Sequence, residues 1–229
     1  MPEMPKMPKM PKMPKMPEMP EMPEMPEMPT LSGRSSGGSA KFISGLNKRQ
    51  GDMDENDVTD NKGCQPLTFI FARGTGEMGN MGTVVGPPVA KALAALNGGK
   101  LAVQGVDYPA DAAGNAMMGG TGGPKMAEVI QQAQSQCAQT KIVLGGYSQG
   151  SMVVHSAADK VDASAISAAV LFGDPMKSQA VGKVPSSKVK EYCAMGDPVC
   201  LNGMDTMAHV SYGKEADGAA QFIMQAVGM

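Results

Sequence analysis

The segment that most constrains the fold is a serine flanked by glycines at the junction of a predicted strand and a predicted helix. Residues 141–145 form a short apolar run typical of a buried strand, and residues 151–158 are typical of a helix. The residues between them, 146–150, read Gly-Tyr-Ser-Gln-Gly. Side chains two residues before and two after the serine would collide in so sharp a turn, and glycine occupies both positions. The pattern therefore predicts a strand that turns directly into a helix, with Ser148 raised at the end of a sheet.

This context makes Ser148 a candidate nucleophile. Gly-x-Ser-x-Gly between a strand and a helix is the nucleophile elbow of α/β-hydrolases, and the adjacent helix N-terminus favours a developing oxyanion. The bare pattern is weak, because it also occurs by chance in loops rich in glycine and serine. The chemical interpretation therefore depends on whether the chain also offers a base and an acid.

The chain contains only two histidines that could serve as the base. His155 follows Ser148 on the predicted helix, and at about 1.5 Å of rise per residue it lies roughly 10 Å along the axis, out of reach of the hydroxyl. We therefore interpret His155 as a helix-surface or partly buried imidazole. By elimination, His209, which lies just before a predicted C-terminal helix, is the predicted general base.

Three aspartates are candidates for the acid that orients His209. Asp174 and Asp197 each follow a predicted strand, and Asp205 lies only four residues before the histidine. In α/β-hydrolases the chain order is nucleophile, acid, histidine, and the acid normally follows the second strand after that of the nucleophile. This order selects Asp197, and we interpret Asp174 as a turn residue before Pro175.

Two backbone N–H groups are expected to stabilise the oxyanion. One belongs to Gln149, the residue after the nucleophile, and the other should come from the loop after the first strand. That loop, residues 73–77, reads Arg-Gly-Thr-Gly-Glu, and Thr75 offers both an N–H and a hydroxyl. An ordinary glycine-rich turn is the alternative. The loop lacks the following Lys-Ser/Thr of phosphate loops and the Gly-x-Gly-x-x-Gly spacing of dinucleotide folds, so nucleotide binding is not expected.

Four segments of the chain resemble fungal cutinases. They are the first strand with its loop at 69–80, the nucleophile motif at 145–150, the acid segment at 193–200 and the base segment at 209–213. The resemblance extends from about Cys64 to the C-terminus.

The resemblance implies a fold, an activity and a set of site residues. It implies that Ser148, Asp197 and His209 are the triad, and that Thr75 and Gln149 form the oxyanion hole. Many family members have serine where this chain has Thr75, and a hydroxyl is retained. The activity implied is that of a secreted, extracellular serine esterase acting on cutin or similar aliphatic polyesters and on short-to-medium acyl esters. No metal or organic cofactor is required.

The four cysteines allow three pairings. A bond between Cys193 and Cys200 would close a short loop around Asp197, which leaves Cys64 for Cys137, and the resemblance implies the same pairing. A zinc site is the alternative, but the chain has no Cys-x-x-Cys and only one spare histidine. Two disulfides indicate an oxidising, extracellular compartment.

The N-terminal part of the chain has a different composition. Residues 1–29 repeat Met-Pro-Glu or Met-Pro-Lys, and a Ser/Gly-rich linker follows. Proline at every third position prevents both a helix interior and a central strand, so we expect a solvated disordered tail. Lys48-Arg49 is the only adjacent basic pair and a candidate cleavage site. We therefore divide the chain into a low-complexity segment and candidate pro-segment, 1–49, and an esterase domain, 50–229.

Charge and hydropathy exclude other classes of partner. The net charge of −2, with no tryptophan and few other aromatic residues, argues against nucleic-acid binding. No apolar run approaches the roughly 20 residues that span a bilayer, so stable membrane insertion is not expected. A monomer is the default expectation.

The alternation of apolar runs with helical segments predicts an α/β fold. We expect a three-layer sandwich around a central, mainly parallel five-stranded sheet, of the α/β-hydrolase type and without a cap domain. The predicted strands are 67–72, 101–107, 141–147, 167–173 and 188–194. The predicted helices are 84–97, 125–138, 149–160 and 214–227.

Two loops are expected to flank the site and to contact substrate. The loop at 110–123 contains Met118, and the loop at 201–207 contains Met207. These methionines are either flexible apolar lips for acyl chains or ordinary core residues. Further candidates for an acyl pocket are Val199 and Leu201.

Two other functions compete with this prediction. An acetylxylan esterase of the same architecture would keep the triad but have a narrow, polar acyl site, and the methionines favour longer aliphatic esters instead. The other is a non-catalytic surface-binding or structural protein, in which the repeat tail carries the function and the hydrolase domain has lost its activity.

Overall fold

Five parallel strands form the centre of the chain in a computed structural model that describes residues 53–229. In chain order the strands are β1 (Leu67–Ala72), β2 (Leu101–Gly105), β3 (Lys141–Tyr147), β4 (Ala168–Phe172) and β5 (Val189–Tyr192). Their order across the sheet is β2-β1-β3-β4-β5, and each neighbouring pair is parallel. All five predicted strands are therefore confirmed. β2 and β5 each end two residues earlier than predicted.

Helices cover both faces of this sheet. They are α1 (Gly86–Leu96), α2 (Gly123–Gln136), α3 (Gln149–Ala158), α4 (Thr206–His209) and α5 (Ala216–Val227). The four long helices match the predicted ones. The single-turn helix α4 and a 3₁₀ helix at Ala112–Met117 were not predicted, because segments this short carry no helical periodicity.

The packing produces the predicted three-layer sandwich. Alternate side chains of β1 point to opposite faces of the sheet. Ile70 joins the core beneath α2 and α3, whereas Phe69 and Phe71 join the core beneath α1 and α5. Because both faces are covered, β1 and β4 are buried at every position and show no alternation of apolar and polar residues.

The structure contains two disulfides, one between distant segments and one that closes a short loop. Cys64 is bonded to Cys137, and Cys193 to Cys200, which is the predicted pairing. The first bond ties the segment before β1 to the end of α2.

Two further expectations from the sequence concern the N-terminal segment and membrane insertion. The predicted boundary after Arg49 and the repeat tail lie outside the described residues. Within the described residues, no helix is long and apolar enough to cross a membrane.

Candidate active site

Ser148 occupies the turn between β3 and α3. Its backbone φ is 54° and its ψ is −118°, a conformation that non-glycine residues rarely adopt and that is typical of functional turns. A Cβ atom at Gly146 would lie 2.5 Å from the carbonyl oxygen of Gly150, and one at Gly150 would lie 2.0 Å from that of Ala72. Both positions of the motif therefore require glycine for the reason the sequence indicated. Ser148 N–H donates to the carbonyl of Phe172, which ties the turn to the end of β4.

His209 lies in α4 and contacts the predicted acid. Its Nδ1 is 2.8 Å from Asp197 Oδ2. A carboxylate only accepts hydrogen bonds, so Nδ1 donates and Nε2 is left as an acceptor. The structure therefore brings the predicted acid and base together, with the imidazole in the tautomer that a general base needs.

His209 and Ser148 both lie against the end of β4. A Cβ atom at Gly173 would lie 2.7 Å from His209 Cε1, so only glycine allows the imidazole this approach. Gly173 directly follows Phe172, whose carbonyl accepts from Ser148 N–H. No hydrogen bond joins Ser148 Oγ to His209 in the described chain. Such bonds are often long without substrate and tighten when it binds.

Asp197 is fully buried and receives four hydrogen bonds. Oδ1 accepts from the backbone N–H groups of Val199 at 2.6 Å and Cys200 at 3.4 Å. Oδ2 accepts from His209 Nδ1 and from the Tyr212 hydroxyl. Burial raises the pKa of Asp197, but the hydrogen bonds from Tyr212, His209 and Val199 outweigh that effect and hold the pKa below its usual value. The carboxylate is therefore ionised at neutral pH.

Two tyrosines that the sequence analysis did not select surround the imidazole. Tyr147 donates to the backbone carbonyl of His209 at 2.9 Å, and the two rings are 5.2 Å apart. The ring of Tyr212 meets the imidazole edge-on at 6.2 Å. Tyr147 belongs to the Gly-x-Ser-x-Gly motif and Tyr212 to the base segment, so their position in the sequence was the available signal.

Thr75 and Gln149, the predicted oxyanion-hole residues, are brought together. Gln149 is the first residue of α3, and its buried side-chain Nε2 lies 2.9 Å from Thr75 Oγ1. The same Nε2 lies 3.0 Å from Asn115 Oδ1, to which Thr75 Oγ1 donates at 3.2 Å. Asn115 belongs to the unpredicted 3₁₀ helix, so no pattern in the sequence linked it to this site. In the described chain, neither backbone N–H of Thr75 and Gln149 has an intramolecular acceptor.

The loop that carries Thr75 is held by a buried arginine and a glutamate. Arg73 donates through Nε to Glu77 O at 2.9 Å and through a terminal nitrogen to Tyr108 O at 2.8 Å. The carboxylate of Glu77 accepts from three backbone N–H groups, including that of Gly74 at 2.8 Å. A loop fixed in this way can hold the Thr75 N–H in place before substrate arrives.

The candidate substrate residues differ in exposure. Met118 is 52% exposed, Met207 71% and Leu201 45%, so the two methionines are not core residues. Val199 is half-buried, and its backbone N–H is bound to Asp197. Met117 and Met204 on the same loops are also exposed, as is Met195 in the segment that contains Asp197.

His155 is buried, so its interpretation as a surface or partly buried imidazole was wrong. Its Nε2 lies 2.9 Å from Asp174 Oδ2, and its Nδ1 lies 3.1 Å from the carbonyl of Ala180. The helix alone could not reveal this, because both partners come from the segment after β4. Asp174 also accepts from Met176 N–H at 2.8 Å, so its predicted turn role is present beside the contact with His155.

Glu191 on β5 adds a third ionisable group to this buried region. Burial, and then the negative charge of Asp174, raise the pKa of Glu191 to about 8. His155, Asp174 and Glu191 are the one group in the described residues whose ligand atoms, all within 4.8 Å of one another, lie close enough for a metal ion. Since His155 and Asp174 already satisfy each other, we assign no metal to it.

Comparisons with known proteins agree with the fold and show the family of the chain. The family model described as "Cutinase" matches residues 63–227. Cutinase 4 of Emericella nidulans is 60% identical over 184 residues, covering 80% of this chain and 82% of that protein. The cutinase of Monilinia fructicola is 43% identical over 173 residues, covering 73% of this chain and 86% of that protein.

Solved structures give the same result. Trichoderma reesei cutinase in complex with a C11Y4 phosphonate inhibitor superposes with a TM-score of 0.68 at 38% identity, covering 83% of this chain and 90% of that one. An acetylxylan esterase superposes with a TM-score of 0.63 at 24% identity, covering 72% of this chain and all of that one, and this match speaks to the fold alone. The chain therefore belongs to the cutinase family of carboxylic ester hydrolases.

Proposed function

We propose that this chain is a secreted serine esterase that hydrolyses cutin, related aliphatic polyesters and short-to-medium acyl esters through Ser148, His209 and Asp197. The observation that carries the proposal is the contact between His209 Nδ1 and Asp197 Oδ2 at 2.8 Å, at the end of β4 where the Ser148 turn is also bound. The two disulfides support an extracellular location, because they are stable in an oxidising compartment.

The reaction proceeds through an acyl-enzyme. His209 Nε2 takes the proton of Ser148 as the hydroxyl oxygen attacks the ester carbonyl, and the backbone N–H groups of Thr75 and Gln149 stabilise the tetrahedral oxyanion. The imidazolium, held by Asp197, then gives its proton to the departing alcohol. In the second half, His209 takes a proton from water, which attacks the acyl-enzyme and releases the acid and the free serine.

The loops at the site favour aliphatic acyl groups over acetate. Exposed thioether side chains such as Met118 and Met207 offer flexible apolar contact to a chain of methylene groups. An acetylxylan esterase, the alternative with the same architecture, would instead have a narrow, polar acyl site.

The test is the initial hydrolysis rate of the full-length protein on p-nitrophenyl esters from acetyl to palmitoyl, with Ser148→Ala as control. We expect the rate to peak at butyryl or longer and to be abolished in the control, after which cutin or a synthetic polyester is the next substrate. A sharp preference for the acetyl ester would contradict the proposal and favour the alternative, an acetylxylan esterase. If the folded, oxidised protein shows no serine-dependent activity, the esterase hypothesis is wrong. The non-catalytic hypothesis, in which the repeat tail carries the function, would then be favoured.

A further inference from the structure

Tyr212 lies beside the proposed triad but has no role in the mechanism above. It follows His209 by three residues and is 1% exposed. Its ring packs edge-on against Phe172 and Tyr147, with centroids 6.1 Å away in both cases. This packing points its hydroxyl at Asp197 Oδ2, the oxygen that also receives His209 Nδ1.

The direction of the hydrogen bond between Tyr212 and Asp197 follows from the groups around the Tyr212 hydroxyl. The backbone N–H of Ala194 donates to the Tyr212 hydroxyl oxygen at 3.0 Å. A phenol has a single proton and an N–H group cannot accept. The Cys200 sulfur, 3.5 Å away, is a much weaker acceptor than a carboxylate, so the proton is given to Asp197. Asp197 Oδ2 therefore shares its negative charge between two donors, the imidazole and the phenol.

We propose that Tyr212 is a positioning residue that sets the basicity of His209 through Asp197. A second donor on Oδ2 disperses the charge that faces the imidazole, and it holds the carboxylate in one orientation. Without the hydroxyl, the charge on Oδ2 acts on the imidazolium alone and holds its proton more tightly. The inference rests on the proposed function, in which His209 is the base.

Tyr147 provides a matched control within the same site. Its hydroxyl also bonds to His209, but to the backbone carbonyl at 2.9 Å and not to the carboxylate. Tyr147→Phe and Tyr212→Phe therefore remove the same atom from two tyrosines that both touch the imidazole. Only Tyr212→Phe changes the number of donors on Asp197.

The experiment measures kcat and KM of the full-length protein on p-nitrophenyl butyrate between about pH 5 and pH 9. For Tyr212→Phe we expect the acid-side midpoint of kcat/KM to move to higher pH by about half a unit to one unit, with most of the loss in kcat. At the acid end of the range this shift lowers kcat/KM about three- to tenfold. Tyr147→Phe should keep the wild-type midpoint, whatever its rate.

Two outcomes would overturn the inference. An equal loss at every pH in Tyr212→Phe would leave the tyrosine a purely structural role, as would the same midpoint shift in Tyr147→Phe. If Asp197→Asn retained the wild-type rate, the proposed triad itself would fail, and this result is distinguishable because it does not involve Tyr212.

A second measurement covers the case in which Tyr212→Phe does not fold. Biosynthetic replacement of tyrosine by 3-fluorotyrosine keeps every tyrosine hydroxyl, adds one fluorine atom to each ring, and makes the phenol a stronger donor. The acid-side midpoint should then move to lower pH, and it should do so equally in the Tyr147→Phe background. A midpoint that stays in place or moves upward would contradict the inference.

Discussion

The molecule contains two His–Asp pairs with nearly the same contact distance and different surroundings. The proposed catalytic pair is His209 and Asp197, at 2.8 Å, and the buried pair is His155 and Asp174, at 2.9 Å. Both aspartates are fully buried, but the His209 side chain is 16% exposed and that of His155 only 3%. A short His–Asp contact is therefore not sufficient to identify a catalytic site.

The two pairs differ in which nitrogen atoms remain free. His209 uses Nδ1 for Asp197 and keeps Nε2 as an acceptor. His155 uses Nε2 for Asp174, and its Nδ1 faces the carbonyl of Ala180. Two acceptors require two protons, so His155 is an imidazolium and its pair is a buried ion pair. Burial lowers the pKa of His155, but the hydrogen bond and charge of Asp174 and the Ala180 carbonyl raise it more.

The largest expected effect separates the pairs by activity. Asp197→Asn should lower kcat on p-nitrophenyl butyrate by about 10³- to 10⁴-fold, because an amide can stabilise the wrong tautomer of His209 and cannot stabilise its imidazolium. Asp174→Asn, assayed well below its unfolding temperature, should keep kcat within a few-fold of wild type. A comparable loss in both variants would mean that the buried pair also serves the reaction.

The next effect separates the pairs by stability. Asp174→Asn leaves a buried imidazolium without its counter-ion and should lower the free energy of unfolding at about pH 6 by roughly 3 kcal/mol. Asp197→Asn should cost less than about 1.5 kcal/mol, because His209 is partly exposed and can remain neutral. Urea unfolding followed by circular dichroism measures both. The reverse order of the two losses would refute the assignment of the ion pair to His155.

The comparison also shows how far the sequence could be interpreted. Apolar runs and their spacing predict all five strands and four long helices. Elimination of His155 selects His209, and chain order with the position of the predicted strands selects Asp197. The environment of His155 was not predictable in this way, because both of its hydrogen-bond partners, Asp174 and Ala180, come from the segment after β4. Asn115 was missed because it lies in a 3₁₀ helix too short to predict, whereas the position of Tyr212 in the base segment was a signal that was not used. A local pattern reports which residues share an element, whereas burial depends on what the rest of the chain packs against it.

The last expected effect concerns the pH dependence of stability, and its sign differs between the pairs. Beside the buried pair, Glu191 has a pKa of about 8 in place of its usual 4.5, so the folded protein binds more protons than the unfolded chain between these values. Stability contributed by this region should therefore fall as pH rises through that window. The raised pKa of His155 acts in the same direction, because its stabilisation is complete below the ordinary histidine value and is lost as pH rises through the folded value.

Asp197 acts in the opposite direction. Its lowered pKa contributes stability that is present above the ordinary aspartate value and is lost as pH falls through the folded value. The proposed catalytic pair therefore limits stability on the acid side, and the buried pair with Glu191 limits it on the alkaline side.

Thermal unfolding of Glu191→Gln tests this division. The wild-type Tm should fall between about pH 5 and pH 8.5, and the Glu191→Gln variant should lose part of that slope by keeping a higher Tm at the alkaline end. Asp217→Asn, at an exposed position on α5, is the matched control and should follow the wild-type curve. The amide matches the neutral carboxyl in shape, so the two proteins should be similar near pH 5. A parallel displacement of the whole curve would show that Glu191 acts through packing and not through its ionisation.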